Sequence, residues 1–224
     1  GCVAVSAAQL PQAAAVLQRK ATEVGAELCW QPPLDRRHWP LGLPGAVQAG
    51  NGAVALGMLR ALAERGWPIS DAAIRGGFAA ARWPGRLQPH QWQEIPLLLD
   101  GAHNPAAARA LRAELDADPA RYGLTPGPRR WVLGILSAKQ GPAIVQALLG
   151  PGDRAWIVPV AGHTSWTLTG LQEALDTGPH GSPAGQLTEA PDPGTAIRHA
   201  GGSGPVIVAG SLYLIGQLLA RGRS

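Results

Sequence analysis

The chain has 224 residues, 46% of them hydrophobic and only 15% charged, enough apolar material for a buried core and the opposite of a disordered composition. Its formal net charge is +4, but the arginines are scattered singly or in pairs such as Arg36-Arg37 and Arg129-Arg130. Scattered arginine reads as solvated surface, and no basic run of the kind that tracks nucleic acid is present. No apolar run is long enough to span a bilayer, and the first residues lack the charged start of a signal peptide. Cys2 and Cys29 match no metal or redox spacing, so two reduced, partly buried thiols in a cytoplasmic protein are expected, with no nucleic-acid or membrane partner.

Residues 3–5 read as the end of a strand. Ala14, Leu17, Ala21 and Val24 then recur at helical spacing and predict a helix over 11–24. The proline-rich stretch 31–44 reads as a loop. Val54, Met58 and Leu62 recur every four residues, which predicts a helix over 51–65. Ser70 has the chemistry of an N-cap for a helix over 71–80, and Trp83-Pro84-Gly85-Arg86 ends that pattern.

Beyond this linker the alternation is regular. Strand 97–99 leads to helix 105–117, strand 131–136 to helix 141–149, and strand 155–160 to a helix around 168–176. A weaker strand near 186–188 precedes a short helix around 193–200, and strand 206–209 leads to a last helix over 212–220. The pattern predicts an α/β fold, a mostly parallel Rossmann-like sheet with helices on both faces. Residues 1–82 read as the trailing part of one domain and 84–224 as a complete small α/β domain.

The most informative run is Leu97-Leu98-Leu99-Asp100-Gly101-Ala102-His103-Asn104-Pro105. Asn104 is a favoured N-cap residue and Pro105 stands where a helix tolerates proline best, so Asp100 and His103 fall on the turn between a strand's carboxyl end and a helix start. Ligands of open α/β sheets bind there, and the helix start is expected to favour an anion. A dinucleotide fingerprint is absent, because the dense glycine cluster Gly201-Gly202-Ser203-Gly204 precedes its strand. Neither Lys20 nor Lys139 stands in the Gly-Lys-Ser/Thr setting of a phosphate loop. The polar residues left at strand ends and at the linker are Asn51, Arg86, Asp100, His103, Lys139 and Ser211. Each alone has a plain reading as a cap, a turn or a surface residue.

Their combination resembles the folylpolyglutamate synthase/dihydrofolate synthase family, a branch of the Mur ligase superfamily. The resemblance rests on Asp100-Gly101-Ala102-His103-Asn104-Pro105, on Trp83-Pro84-Gly85-Arg86 before it, on Gln48-Ala49-Gly50-Asn51, and on Gly210-Ser211-Leu212-Tyr213-Leu214-Ile215-Gly216. It implies that residues 1–82 are the tail of a central ATPase domain and 84–224 a C-terminal glutamate-ligase domain. The phosphate loop and the magnesium ligands would then lie in an N-terminal part outside this chain, so no metal is assigned to its own residues.

The implied reaction is ATP-dependent addition of L-glutamate to folate or dihydropteroate through an acyl phosphate, by a monomer, with Mg2+ accompanying ATP. Asn51 would contact adenine, Arg86 phosphates and Asp100 ribose. His103 and Ser211 would neighbour the glutamate or the phosphoryl group, and His103 and Lys139 are the catalytic candidates. Departures are Ala138-Lys139-Gln140 where relatives read Asp-Lys-Asp, and Gln217 after Gly216 in place of glutamate. A peptidoglycan-precursor Mur ligase and a non-catalytic nucleotide-binding module stay open as alternatives. The fragment alone is expected to be inactive. His38, His163, Trp39, Trp92 and Trp166 read as surface or packing residues.

Overall fold

In the computed structural model, which describes residues 2–179 and 181–221, the chain divides into two units, Gly1–Trp83 and Pro84–Ser224. In the first unit β1 (Val3–Ala7) and β2 (Glu27–Gln31) pair in parallel, Val3 opposite Glu27 through Ala7 opposite Gln31, joined by α1 (Pro11–Glu23). Helix α2 (Gln48–Ala63) packs against both strands, and α3 (Asp71–Ala80) starts at Ser70, whose Oγ accepts the Ala73 amide at 3.2 Å. β2 carries no strand pattern of its own in the sequence. Its five residues are polar at both ends and abut the proline-rich loop, so β1 pairing rather than local pattern makes it a strand. Cys29 is half-buried in β2 while Cys2 is exposed, so the expected partial burial holds for Cys29 alone.

The second unit is a six-stranded sheet in the order β3-β4-β8-β5-β6-β7. Its strands are β3 (Gln88–Trp92), β4 (Ile95–Leu99), β5 (Arg130–Leu133), β6 (Arg154–Ile157), β7 (Gln186–Glu189) and β8 (Val206–Ala209). All adjacent pairs are parallel except the β3–β4 hairpin. β3, also unforeseen, is an edge strand of mixed polarity, which is where Pro89 can sit without breaking a ladder. β5 and β6 stop short of the expected 136 and 160. Leu136 makes only an isolated bridge to Ser165, and Pro159 lies just past β6.

The helices distribute by face. α4 (Pro105–Ala117), α5 (Gly141–Leu148) and α6 (Leu168–Thr177) cover one side, where Leu111, Leu115, Ile144, Leu148 and Leu171 meet Leu98, Trp131, Leu133, Ile157 and Ile207. α7 (Pro193–Ala200) and α8 (Leu212–Arg221) cover the other, where Ile197, Leu214 and Leu218 meet Leu97, Leu99, Val132, Trp156 and Val208. Successive strand residues thus alternate between two apolar layers, each large side chain contributing about 1.5–3 kcal/mol on burial. Helices that follow neighbouring strands leave for opposite faces at β4/β8, β8/β5 and β6/β7, and such divergence opens a crevice at the carboxyl edge of a sheet. No helix among the described residues is long and apolar enough to cross a membrane.

Asp153, only 1% exposed, ties the opposite edge together. It accepts the Arg129 amide at 2.7 Å, the Gly150 amide at 3.0 Å, the Trp131 indole N–H at 3.1 Å and the Arg112 guanidinium at 2.6 Å. Arg129, expected at the surface, is buried with its guanidinium on the Leu115 carbonyl and the Asp116 carboxylate. Asp153→Ala would strand four donors beneath the sheet, and we expect a loss of about 3–5 kcal/mol in denaturant unfolding, with Asp153→Asn losing less. A loss for Asp153→Ala under about 1 kcal/mol, the range of an ordinary surface change, would show that the network carries no stability.

Candidate active site

At the carboxyl end of β4 the chain turns sharply and Asp100 is half-buried. Its Oδ2 accepts the Leu87 amide at 3.0 Å and its Oδ1 accepts the Ala102 amide at 2.9 Å. The Gly101 amide donates to the Gly85 carbonyl at 2.8 Å, and the Gly85 amide donates to Gln88 Oε1 at 2.8 Å. Residues 85–88 are therefore fastened to the turn by side chain and main chain together. Leu87 is held at φ +44°, a left-handed conformation that is strained for a residue with a branched side chain. Nothing in the sequence signals that strain; its restraint is the carboxylate thirteen positions on.

Arg86 is half-buried above this turn, one Nη1 hydrogen donated to the Gly85 carbonyl at 3.1 Å. A Cβ on Gly101 would lie 2.8 Å from Arg86 Nη1 and would collide with Leu212, so only glycine lets the guanidinium settle there. Gly210, at φ +102°, donates its amide to the Ala102 carbonyl at 2.9 Å, and a Cβ there would meet the Gly134 carbonyl at 2.7 Å. The ends of β4, β8 and β5 are thereby stitched side by side.

His103 Nδ1 lies 2.8 Å from the Gly101 carbonyl. A carbonyl can only accept, so Nδ1 carries the proton and Nε2 is left for a ligand. Ser211, 3% exposed, stands just before α8 and its Oγ accepts the Tyr213 amide at 3.1 Å, keeping its own proton to donate. Lys139 follows β5 on an exposed loop, and its carbonyl accepts the Trp166 indole N–H at 3.0 Å. The structure so brings Arg86, Asp100, His103 and Ser211 to one edge, with Lys139 farther out on the loop after β5. Asn51 belongs to the first unit. It lies in the first turn of α2 rather than at its cap, with Nδ2 donating to Gln48 Oε1 at 3.0 Å, and it lines a cavity of about 220 Å³ walled by Leu41, Leu43, Ala55 and Phe78.

The start of α4 offers fewer amides to an anion than the sequence suggests, since Pro105 has no N–H and the Ala107 amide is taken by Asn104 Oδ1 at 2.9 Å. The charge available to an anion at this turn comes from Arg86.

Burial raises the Asp100 pKa above the ordinary carboxylate value, against the lowering pull of the Leu87 and Ala102 amides and the Arg86 charge. The folded state then holds this proton where the unfolded chain has released it. The contribution of Asp100 to stability is thus full below the unfolded pKa of about 3.9 and declines as pH rises through the folded value. Denaturant melts of the wild type and Asp100→Asn at stepped pH should show the wild type losing ground to the variant over that window. A difference that grows with pH would mean that the amides and Arg86 outweigh burial.

The family model for the C-terminal domain of dihydrofolate synthetase matches residues 85–167, the stretch that carries Arg86, Asp100, His103 and Lys139. The folylpolyglutamate synthase of Lacticaseibacillus casei is 30% identical over 192 residues, covering 81% of this chain and 40% of that protein. The dihydrofolate synthase/folylpolyglutamate synthase of Escherichia coli K12 is 31% identical over 170 residues, covering 75% of this chain and 37% of that protein. Among solved structures, a bifunctional folylpolyglutamate synthase/dihydrofolate synthase from Yersinia pestis is 26% identical with a TM-score of 0.69, over 98% of this chain and 53% of that one. The Mycobacterium tuberculosis folylpolyglutamate synthase complexed with ADP shares the fold at a TM-score of 0.73 and 23% identity, over 99% of this chain and 54% of that one. The chain spans about half the length, or less, of these relatives. Sequence and fold agree that it corresponds to the C-terminal portion of the folylpolyglutamate synthase/dihydrofolate synthase family.

Proposed function

We propose that this chain is the C-terminal portion of an ATP-dependent ligase that joins L-glutamate to folate or dihydropteroate through an acyl phosphate. The observation that carries the reading is the convergence of Arg86, Asp100, His103 and Ser211 at the carboxyl ends of β4 and β8, where two helices diverge to opposite faces. The solved relatives complexed with ADP, or with Mn, AMPPNP and L-glutamate, support it.

Each residue suits a task. Arg86 keeps guanidinium hydrogens for phosphate oxygens. Asp100 has lone pairs beyond the two it gives to amides and can accept from ribose hydroxyls. His103, through Nε2, can take a proton from the ammonium of the incoming glutamate, and Ser211 and Lys139 can hold negative charge that builds on the transferring groups. In the first unit Asn51 offers a donor and an acceptor to adenine at the rim of an apolar cavity. Among the described residues no three His, Cys, Asp or Glu side chains converge on a metal-sized site, so no step is assigned to a metal held by this chain. The Mg2+ that accompanies ATP would take its protein ligands from outside these residues.

We assign residues 1–82 to the tail of the ATPase domain and 84–224 to the glutamate-ligase domain. The first unit's pair of parallel strands and its exposed Val16, Val24, Met58 and Leu62 support this, because two strands alone do not make a stable sheet. The described chain by itself should then release no ADP above background when given ATP, Mg2+, L-glutamate and tetrahydrofolate or dihydropteroate. The full-length protein that carries it should do so and lengthen the acceptor by one glutamate, read by mass spectrometry. If the full-length protein adds glutamate to neither acceptor, the reading fails.

In that protein Arg86→Ala should lower kcat and raise KM for ATP, since an arginine on developing phosphate charge acts mostly in the transition state. Asp100→Ala should raise KM for ATP, by roughly ten- to a hundredfold for the loss of a charge-assisted hydrogen bond, and should also lower kcat, because the same carboxylate holds the segment that bears Arg86. An Asp100→Ala enzyme with an unchanged KM for ATP and a raised KM for glutamate would move the acid to the amino-acid site.

A further inference from the structure

Apart from the two divergences flanking β8, adjacent strands send their helices to opposite faces between β6 and β7, and the crevice there is open. α6 lies on the side of Leu171 and α7 on the side of Ile197. Between the two strand ends is a cavity of about 420 Å³ walled by Pro159, Trp166 and Pro191, with Ser165, Thr167 and Glu189 among its polar residues. That volume lies in the range of small-molecule sites. We propose that this crevice is a second ligand site, for a flat ring that carries an amidine-type N–C–N edge of hydrogen-bond donors.

Glu189 is the last residue of β7, is exposed, and its carboxylate carries no hydrogen bond or ion pair among the described residues. Two parallel N–H donors on one ligand edge can meet both of its oxygens, the geometry that makes such pairs strong. The hydroxyls are set for the other end of the ligand. Ser165 Oγ accepts the Val160 amide at 3.3 Å and Thr167 Oγ1 accepts the Gly170 amide at 3.1 Å, so each keeps its own proton to give to a ligand oxygen. Trp166 is pinned by its indole N–H on the Lys139 carbonyl at 3.0 Å, and with the two prolines it supplies a stiff apolar wall suited to a planar body. An anion is the competing occupant, because the start of α6 lies at the cavity. The partial charge of a helix end, about half an elementary charge, is smaller than the full charge on Glu189, and Thr167 already satisfies one of the amides there. The cation wins.

The test uses benzamidine, titrated into the purified 15N-labelled protein while tryptophan indole N–H resonances are followed. The Trp166 resonance is identified by its loss in Trp166→Phe. Benzamidine should shift it saturably. Benzamide, the uncharged analogue of the same shape, should bind at least about tenfold more weakly, and Glu189→Gln should weaken benzamidine by about tenfold or more, the loss of one charge-assisted pair. Glu189 is exposed, so this variant leaves the core untouched. A response that stays linear into the millimolar range marks an adventitious additive only and overturns the proposal. So does equal binding of benzamide, or benzamidine binding unchanged in Glu189→Gln.

Discussion

The carboxyl edge of this sheet depends on one carboxylate. Asp100 holds the amide of Leu87 on one oxygen and that of Ala102 on the other, joining the segment that bears Arg86 to the turn that bears His103. A left-handed leucine costs on the order of 1–2 kcal/mol, and a hydrogen bond to a charged group returns about 1.5–3 kcal/mol, so the clip outweighs the strain it enforces. Arg86 is consequently a positioned cation rather than a long side chain in search of a partner. A residue read as a ligand contact is at the same time the fastener of its neighbours. Its removal would disturb the arginine as well as any ribose it touches.

What gathers the remaining groups is topology. β8 returns from the far side of the sheet to slot between β4 and β5, and so Ser211 arrives beside Asp100 although the sequence separates them by half the chain. That insertion demands close approach. The amide of Asp100 donates to the Val208 carbonyl, Gly210 donates to Ala102, and Gly134 donates to Ala209, all within 3.2 Å. Gly210 fits because it has no side chain to meet the Gly134 carbonyl. A Ser211 hydroxyl delivered by such a strand is fixed by main-chain bonds on both sides, the rigid placement that a reacting centre requires.

Local chemistry was legible in the sequence and long-range partnership was not. Asn104, Pro105 and Ser70 could be read as helix starts because capping is settled within three residues. The alternation that revealed five parallel strands is likewise a property of short windows. β2 and β3 escaped because each is made a strand by its neighbour, β1 in one case and β4 in the other. The burial of Arg129 depends on Asp116 and Asp153, neither of them near it in sequence, and a paired arginine looks the same on paper as a solvated one. The start of α4 is poorer in free amides than the expectation assumed, for a reason present in the letters: proline at its first position brings no N–H, and a good cap consumes another. The motif that located the turn also left fewer free amides there than the expectation assumed.

Surface composition adds a last piece. Among the described residues of the second unit, the exposed large apolar side chains are Leu212 and Tyr213, both directly after Ser211. The Tyr213 ring lies against His163, centroids 3.9 Å apart, so a side chain from the loop after β6 reaches over the end of β5 to meet one from the start of α8. Other large hydrophobics of the unit, among them Trp92, Ile95, Leu136, Trp166 and Leu168, are at least partly buried against its two apolar layers. Exposed apolar surface beside fixed polar groups is what a binding edge looks like before its ligand covers it. The exposed pair stands directly after Ser211 at the start of α8, beside the edge where Arg86, Asp100 and Ser211 lie.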